Sequence, residues 1–126
     1  MSKGFGSGSS KKKLSVKQFY LSNKFDEGEK YYLSKDYAKA ESIFLNLHDS
    51  GYENANLFLY LANIYIFSGS DEKALIFLSR ALEINPENPN ILYNLGTIFY
   101  KKNEYDLAIS YYSQGINFDS HNAFAY

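Results

Sequence analysis

The residues from Asn90 to Asn122, NILYNLGTIFYKKNEYDLAISYYSQGINFDSHN, lie over the preceding chain when it is moved by 34 places. Gly96 then falls on Ala62 and Gly28, Phe99 on Tyr65 and Tyr31, Ala108 on Ala74 and Ala40, and Tyr112 on Leu78 and Phe44. Leu95 meets Leu61, and only the first copy breaks that column, with Glu27. A fixed period of this length, with small residues in two columns and large apolar residues between them, belongs to a helix–turn–helix unit. One such unit cannot bury its own apolar face and must stack on a neighbour. The period predicts an all-α fold, a right-handed superhelical stack of three antiparallel helix pairs, with copies at about 21–54, 55–88 and 89–122.

The columns predict how each pair packs. The small residue at the eighth place of a copy is expected to face the alanine at the twentieth, because two helices approach closely only where both lack bulk. Tyr31, Tyr65 and Phe99 are expected to plug the space beside that crossing. The predicted helices run from Val16 to Leu33, about Tyr37 to His48, Leu57 to Phe67, Glu72 to Ile84, about Asn90 to Lys102, and Tyr105 to Phe118. Gly51 suits the left-handed stop of a helix, Ser70 and Asn88 suit N-caps, and Pro89 suits a first helical turn. Residues 1–13, MSKGFGSGSSKKK, hold too little apolar surface to offset the entropy of ordering them and are read as a disordered basic tail. Residues 123–126 are read as the truncated start of a fourth copy.

With these residues in place, the pattern resembles the tetratricopeptide repeat. The middle copy carries Leu61, Ala62, Tyr65, Ala74, Leu78, Ala81 and Pro86 at the family's signature places; the last carries Leu95, Gly96, Phe99, Ala108 and Tyr112; the first carries Gly28, Tyr31, Ala40 and Phe44. Leu47 and Gly115 stand where that family usually has Ala, and Tyr52 and Ser120 where it usually has Pro.

Composition removes several functions. The chain has no cysteine, so disulfides and thiolate metal sites are excluded. Net charge is −1, yet Lys3, Lys11, Lys12, Lys13 and Lys17 all precede the repeats, leaving the remainder mildly acidic. A nucleic-acid partner, which calls for many phosphate contacts, is therefore not expected. No run approaches the ~18 apolar residues of a membrane span, and the lysine-rich start lacks the apolar core expected of a signal peptide. The expected setting is cytoplasmic, with no membrane partner.

The residues assemble no recognisable catalytic set, so the chain is read as a non-enzyme with no cofactor and no metal. His48 takes the place of Leu82 and Ile116 and is read as a half-buried edge residue; His121 sits beside Asp119 without a third ligand. Acids such as Asp71, Glu72, Glu104 and Asp106 fall at helix starts, where the dipole favours them.

Binding is the expected role, that of a protein–protein interaction module or scaffold. The resemblance implies that the first helix of each copy lines a concave groove, and assigns Tyr32, Asn56, Tyr60, Asn63, Asn90, Tyr93, Asn94 and Tyr100, with others such as Phe25, to a peptide-binding lining. It also implies what is missing: at the places of a carboxylate clamp stand Phe25, Glu29, Tyr60, Asn90 and Asn94, none of which matches. Asn side chains can instead pair with an extended peptide backbone, and Tyr faces can pack its side chains. The alternative function is the recruiting or substrate-presenting region of a larger bacterial enzyme such as a sulfotransferase or glycosyltransferase. Weak self-association is expected through the C-terminal end, near Tyr112, Ile116 and Phe118.

Overall fold

The computed structural model describes the backbone of residues 2–125 and the side chains of residues 16–120. The expectations for a disordered tail over residues 1–13 and for the start of a fourth copy over residues 123–126 concern residues whose side chains lie outside those described. Six helices follow one another: α1 (Ser2–Leu33), α2 (Tyr37–Asp49), α3 (Ala55–Phe67), α4 (Asp71–Ile84), α5 (Pro89–Lys101) and α6 (Tyr105–Ala125). No strand occurs among the described residues. The four short helices from α2 to α5 match the sequence expectation to within two residues at each end. The first and last run further than expected: α1 is helical from Ser2 rather than Val16, and α6 continues past Phe118 to Ala125.

The chain divides into two compact units, Met1–Tyr52 and Glu53–Tyr126. In the first, α1 and α2 close on Phe25, Ala40, Phe44 and Leu47, all buried. Phe25, which the resemblance placed in the groove, is core: its ring lies 5.8 Å from that of Phe44 and 6.0 Å from that of Tyr52. In the second, α3 pairs with α4 and α5 with α6 around Leu57, Phe58, Leu61, Leu78, Ile91, Leu92 and Ile98.

The turn inside each helix pair is the same three times. Lys35, Gly69 and Asn103, at 34-residue intervals, all take left-handed φ values of 67°, 81° and 64°. In each turn the following N–H reaches back five residues, Asp36 to Tyr31, Ser70 to Tyr65 and Glu104 to Phe99, at 2.8, 2.7 and 2.9 Å. The left-handed residue's own N–H bonds three residues back, which makes each turn a Schellman stop. Only the middle copy uses glycine there, so this position gave no signal in sequence. Gly51 closes α2 in the same way, with φ 83° and Tyr52 N–H donating to the Leu47 carbonyl at 3.0 Å.

At the helix starts, the Asn54 side chain accepts from the N–H groups of Asn56 and Leu57, and Asn88 accepts from Asn90 with Pro89 in the first turn. Ser70 occupies the N-cap position of α4 as expected, but its hydroxyl makes no cap bond.

The crossing inside the first and third pairs differs from the expectation. The side chains nearest Gly28 are Phe44 and Ile43, and the one nearest Gly96 is Tyr112. A large residue four places beyond the alanine thus sits on the small one, Phe44 after Ala40 and Tyr112 after Ala108, and both alanines are buried. Tyr65 stacks on Phe77 and Phe99 on Tyr111, with centroids 5.7 and 5.6 Å apart and planes within 14° and 11°. These rings act as the plugs the period implied.

Candidate functional site

The residues singled out for the groove separate into two groups. Asn56, Tyr60, Asn63, Asn90 and Asn94 line one open concavity of about 490 Å³ between α3 and α5, together with Leu59, Phe67 and Asn88. Five of these eight side chains are asparagines and none is charged. Helical periodicity produces the grouping: Asn56, Tyr60 and Asn63 fall at i, i+4 and i+7 on α3, and Asn90 and Asn94 at i and i+4 on α5. The opposite side of α3, with Leu57, Phe58, Leu61 and Ile64, is buried.

One hydrogen bond ties the two helices across the concavity. The Asn94 Nδ2 donates to Asn63 Oδ1 at 2.7 Å. The pairing fixes the orientation of both amides and occupies one group on each. Asn56 and Asn90 are exposed, and Asn88 spends its side-chain oxygen on the α5 N-cap at 2.9 Å from the Asn90 nitrogen.

Tyr32, Tyr93 and Tyr100 are not part of this lining. Tyr32 lies in the first unit, edge-on to Tyr37 at 5.4 Å. Tyr100 repeats that arrangement two periods later, edge-on to Tyr105 at 5.5 Å. Tyr93 leans the other way, over Gly115 of α6, and its hydroxyl donates to the Asp119 carboxylate at 3.1 Å. Partial desolvation, with that carboxylate as bond partner and neighbouring charge, raises the Tyr93 pKa above the ordinary phenol value. Sequence reasoning assigned Tyr93 by its place on α5; the glycine that draws its ring away is 22 residues further on.

Charge in this unit gathers away from the concavity. Lys101 pairs with Asp71 at 3.2 Å and Lys102 with Glu72 at 2.8 Å, joining the end of α5 to the start of α4. Arg80 reaches Glu53 at 2.8 Å and lies over the Phe58 ring. Exposed pairs of this kind each contribute little to stability. Among the described residues no group of three or more His, Cys, Asp or Glu comes together that could hold a metal ion, and no helix is long and apolar enough to cross a membrane. His48 is half-buried; the His121 side chain lies outside the described residues.

Helix pairs at a 34-residue interval, identical Schellman turns and glycines seated under aromatic rings define a class of helical repeat. The chain carries tetratricopeptide repeats: family models for the TPR repeat and the tetratricopeptide repeat match residues 62–102 and 89–122. It is 33% identical over 70 residues to the photosystem I assembly protein Ycf3 of Synechococcus sp. (strain WH7803), covering 53% of this chain and 40% of that protein. It is 23% identical over 99 residues to anaphase-promoting complex subunit 3 of Schizosaccharomyces pombe (strain 972 / ATCC 24843), covering 79% of this chain and 15% of the relative. The chain thus spans less than half the length of either curated relative. Among solved structures, that of MamA superposes with a TM-score of 0.72 at 16% identity over 82% of this chain and 60% of the other, a likeness of fold.

Proposed function

We propose that this protein is an interaction scaffold whose α3/α5 concavity holds an extended, uncharged peptide segment of a partner protein. The observation that carries the reading is the lining itself: five asparagines, a tyrosine and two apolar side chains, with no charge, in an open space of about 490 Å³. An asparagine amide offers a donor and an acceptor spaced like those of a peptide bond, so a row of them pairs with a backbone whatever its sequence. Tyr60, Leu59 and Phe67 supply the apolar surface against which peptide side chains pack. A site without lysine or arginine has no cation with which to single out a terminal carboxylate. Relatives named for assembling a photosystem and for membership of a large complex support a role in holding proteins together.

The test is a selection from a displayed library of random peptides, followed by titration of the selected sequences. Free-acid and amidated forms of one peptide should bind alike. Asn90→Ala, whose side chain is exposed, should weaken binding by about 0.5–1.5 kcal/mol without lowering stability. Peptides that bind but ignore Asn90→Ala, Asn94→Ala and Tyr60→Ala together would place the interaction surface elsewhere.

A further inference from the structure

The row of lining residues on α3 has two unlike ends. Asn56, Tyr60, Asn63 and Phe67 follow one another at spacings of four, three and four, from the second residue of the helix to its last. The row begins in amides, with Asn88 and Asn90 of α5 in the same lining, and it ends in a phenyl ring. Phe67 is 60% exposed, whereas Leu57, Phe58, Leu61 and Ile64 on the opposite side of the helix are buried.

The fold does not require a phenyl ring at this place. At 34-residue intervals it holds Leu33, Phe67 and Lys101. Leu33 is 69% exposed, and the Lys101 side chain, 45% exposed, pairs with Asp71. A place that the repeat leaves open to water, and fills with leucine, phenylalanine or lysine, is not a core position. A large aromatic side chain left open in a concave lining is the kind of residue on which interfaces concentrate their binding.

We infer, on the peptide mode proposed above, that Phe67 is the specificity-determining residue of the concavity, and that the segment taken up carries one aromatic or large aliphatic side chain seated on this ring. The anchor is uncharged. No side chain of the lining carries a charge with which to pair it, and a charge taken out of water without a partner is costly. The anchor also stands at one end of the bound stretch, because the ring stands at one end of the row. Asn56 and Phe67 are eleven residues apart on one helix, roughly 16 Å at about 1.5 Å per residue, a distance that an extended chain covers in about five residues. Over the asparagines the segment offers its backbone, so the side chains there are free to vary.

Titration of peptides selected on the full 126-residue chain tests the inference. The expected result is one aromatic or large aliphatic residue shared by the selected sequences, at one end of their common stretch. Its change to Ala in the peptide, and Phe67→Lys in the protein, should each weaken binding at least about tenfold, and the two together should cost little more than either alone, as for groups in direct contact. Phe67→Lys is a change the repeat accommodates, since the third copy carries lysine at this place. Phe67→Tyr, which keeps the ring, should bind within about twofold of the unchanged protein. Selected sequences that share no large apolar residue, or losses that simply add, would overturn the anchor; binding that still weakens with Asn90→Ala would then leave the peptide reading standing. Peptides indifferent to Asn90→Ala, Asn94→Ala and Tyr60→Ala would remove that reading and the anchor with it.

Discussion

The ring of Tyr93 rests on Gly115, so closely that a Cβ at position 115 would stand 2.6 Å from the nearest ring carbon. Helix propensity alone says that Gly115→Ala should stabilise α6 by about 0.8–1.0 kcal/mol. The contact reverses that expectation, because overpacking a filled site costs about 1–3 kcal/mol. Gly115→Ala should therefore lower the melting temperature. In a Tyr93→Ala background, with the ring gone, the same change should raise it, and thermal unfolding of the four proteins of that cycle reads both signs.

The three Schellman turns share their backbone bonds but hold a different residue in left-handed conformation. Lysine there costs about 1–2 kcal/mol, against which the extra chain entropy of glycine is about 0.5–1 kcal/mol. Lys35→Gly should stabilise by about 0.5–1 kcal/mol, Asn103→Gly by less because asparagine tolerates this geometry, and Gly69→Ala should destabilise by about 1 kcal/mol. Chemical denaturation with an unchanged slope checks all three.

Two N-cap residues, Asn54 and Ser70, should behave differently. Asn54→Ala removes a side chain that accepts from two N–H groups and should cost about 1 kcal/mol. Ser70→Ala removes a hydroxyl that makes no cap bond and should cost far less. Equal losses in denaturant melts would mean that the Ser70 hydroxyl caps α4 in solution.

Alkaline pH should loosen the second unit. The bond and charge of Glu72 raise the Lys102 pKa above 10.5, despite partial desolvation acting the other way. The Tyr93 pKa is raised above 10.0 by partial desolvation and by Asp119. In both cases the folded state holds its proton longer than the unfolded state, so the stabilisation is present below these values and is lost as pH rises through and beyond them. Melting temperature should fall above about pH 10, and Tyr93→Phe should flatten part of that fall.

The helices were legible because a 34-residue period repeats nearly every apolar column, and the turn after α4 because Asn88 and Pro89 punctuate it. The lining was half legible. Asn63 and Asn94 occupy places whose side of the helix follows from spacing, and they do meet, by a bond between amides 31 residues apart. Phe25, Tyr93 and Tyr100 lie outside this lining for one reason: a large aromatic side chain goes where a neighbouring helix leaves room. For Phe25 that is beside Phe44, for Tyr93 over Gly115, for Tyr100 against Tyr105. Spacing on the residue's own helix carries no record of such room. The full reach of α6 was hidden as well, since Asp119-Ser-His-Asn reads as a turn and yet lies within helix.

The central claim is that the asparagine face between α3 and α5 takes up a peptide backbone. Its most direct measurement follows the side-chain amide signals of the asparagines by NMR while a selected, amidated peptide is added. The account predicts that Asn56, Asn63, Asn90 and Asn94 shift together in a saturable manner, with Asn117 on α6 unmoved. Saturable shifts at α6 or along α4, with those four amides silent, would contradict it.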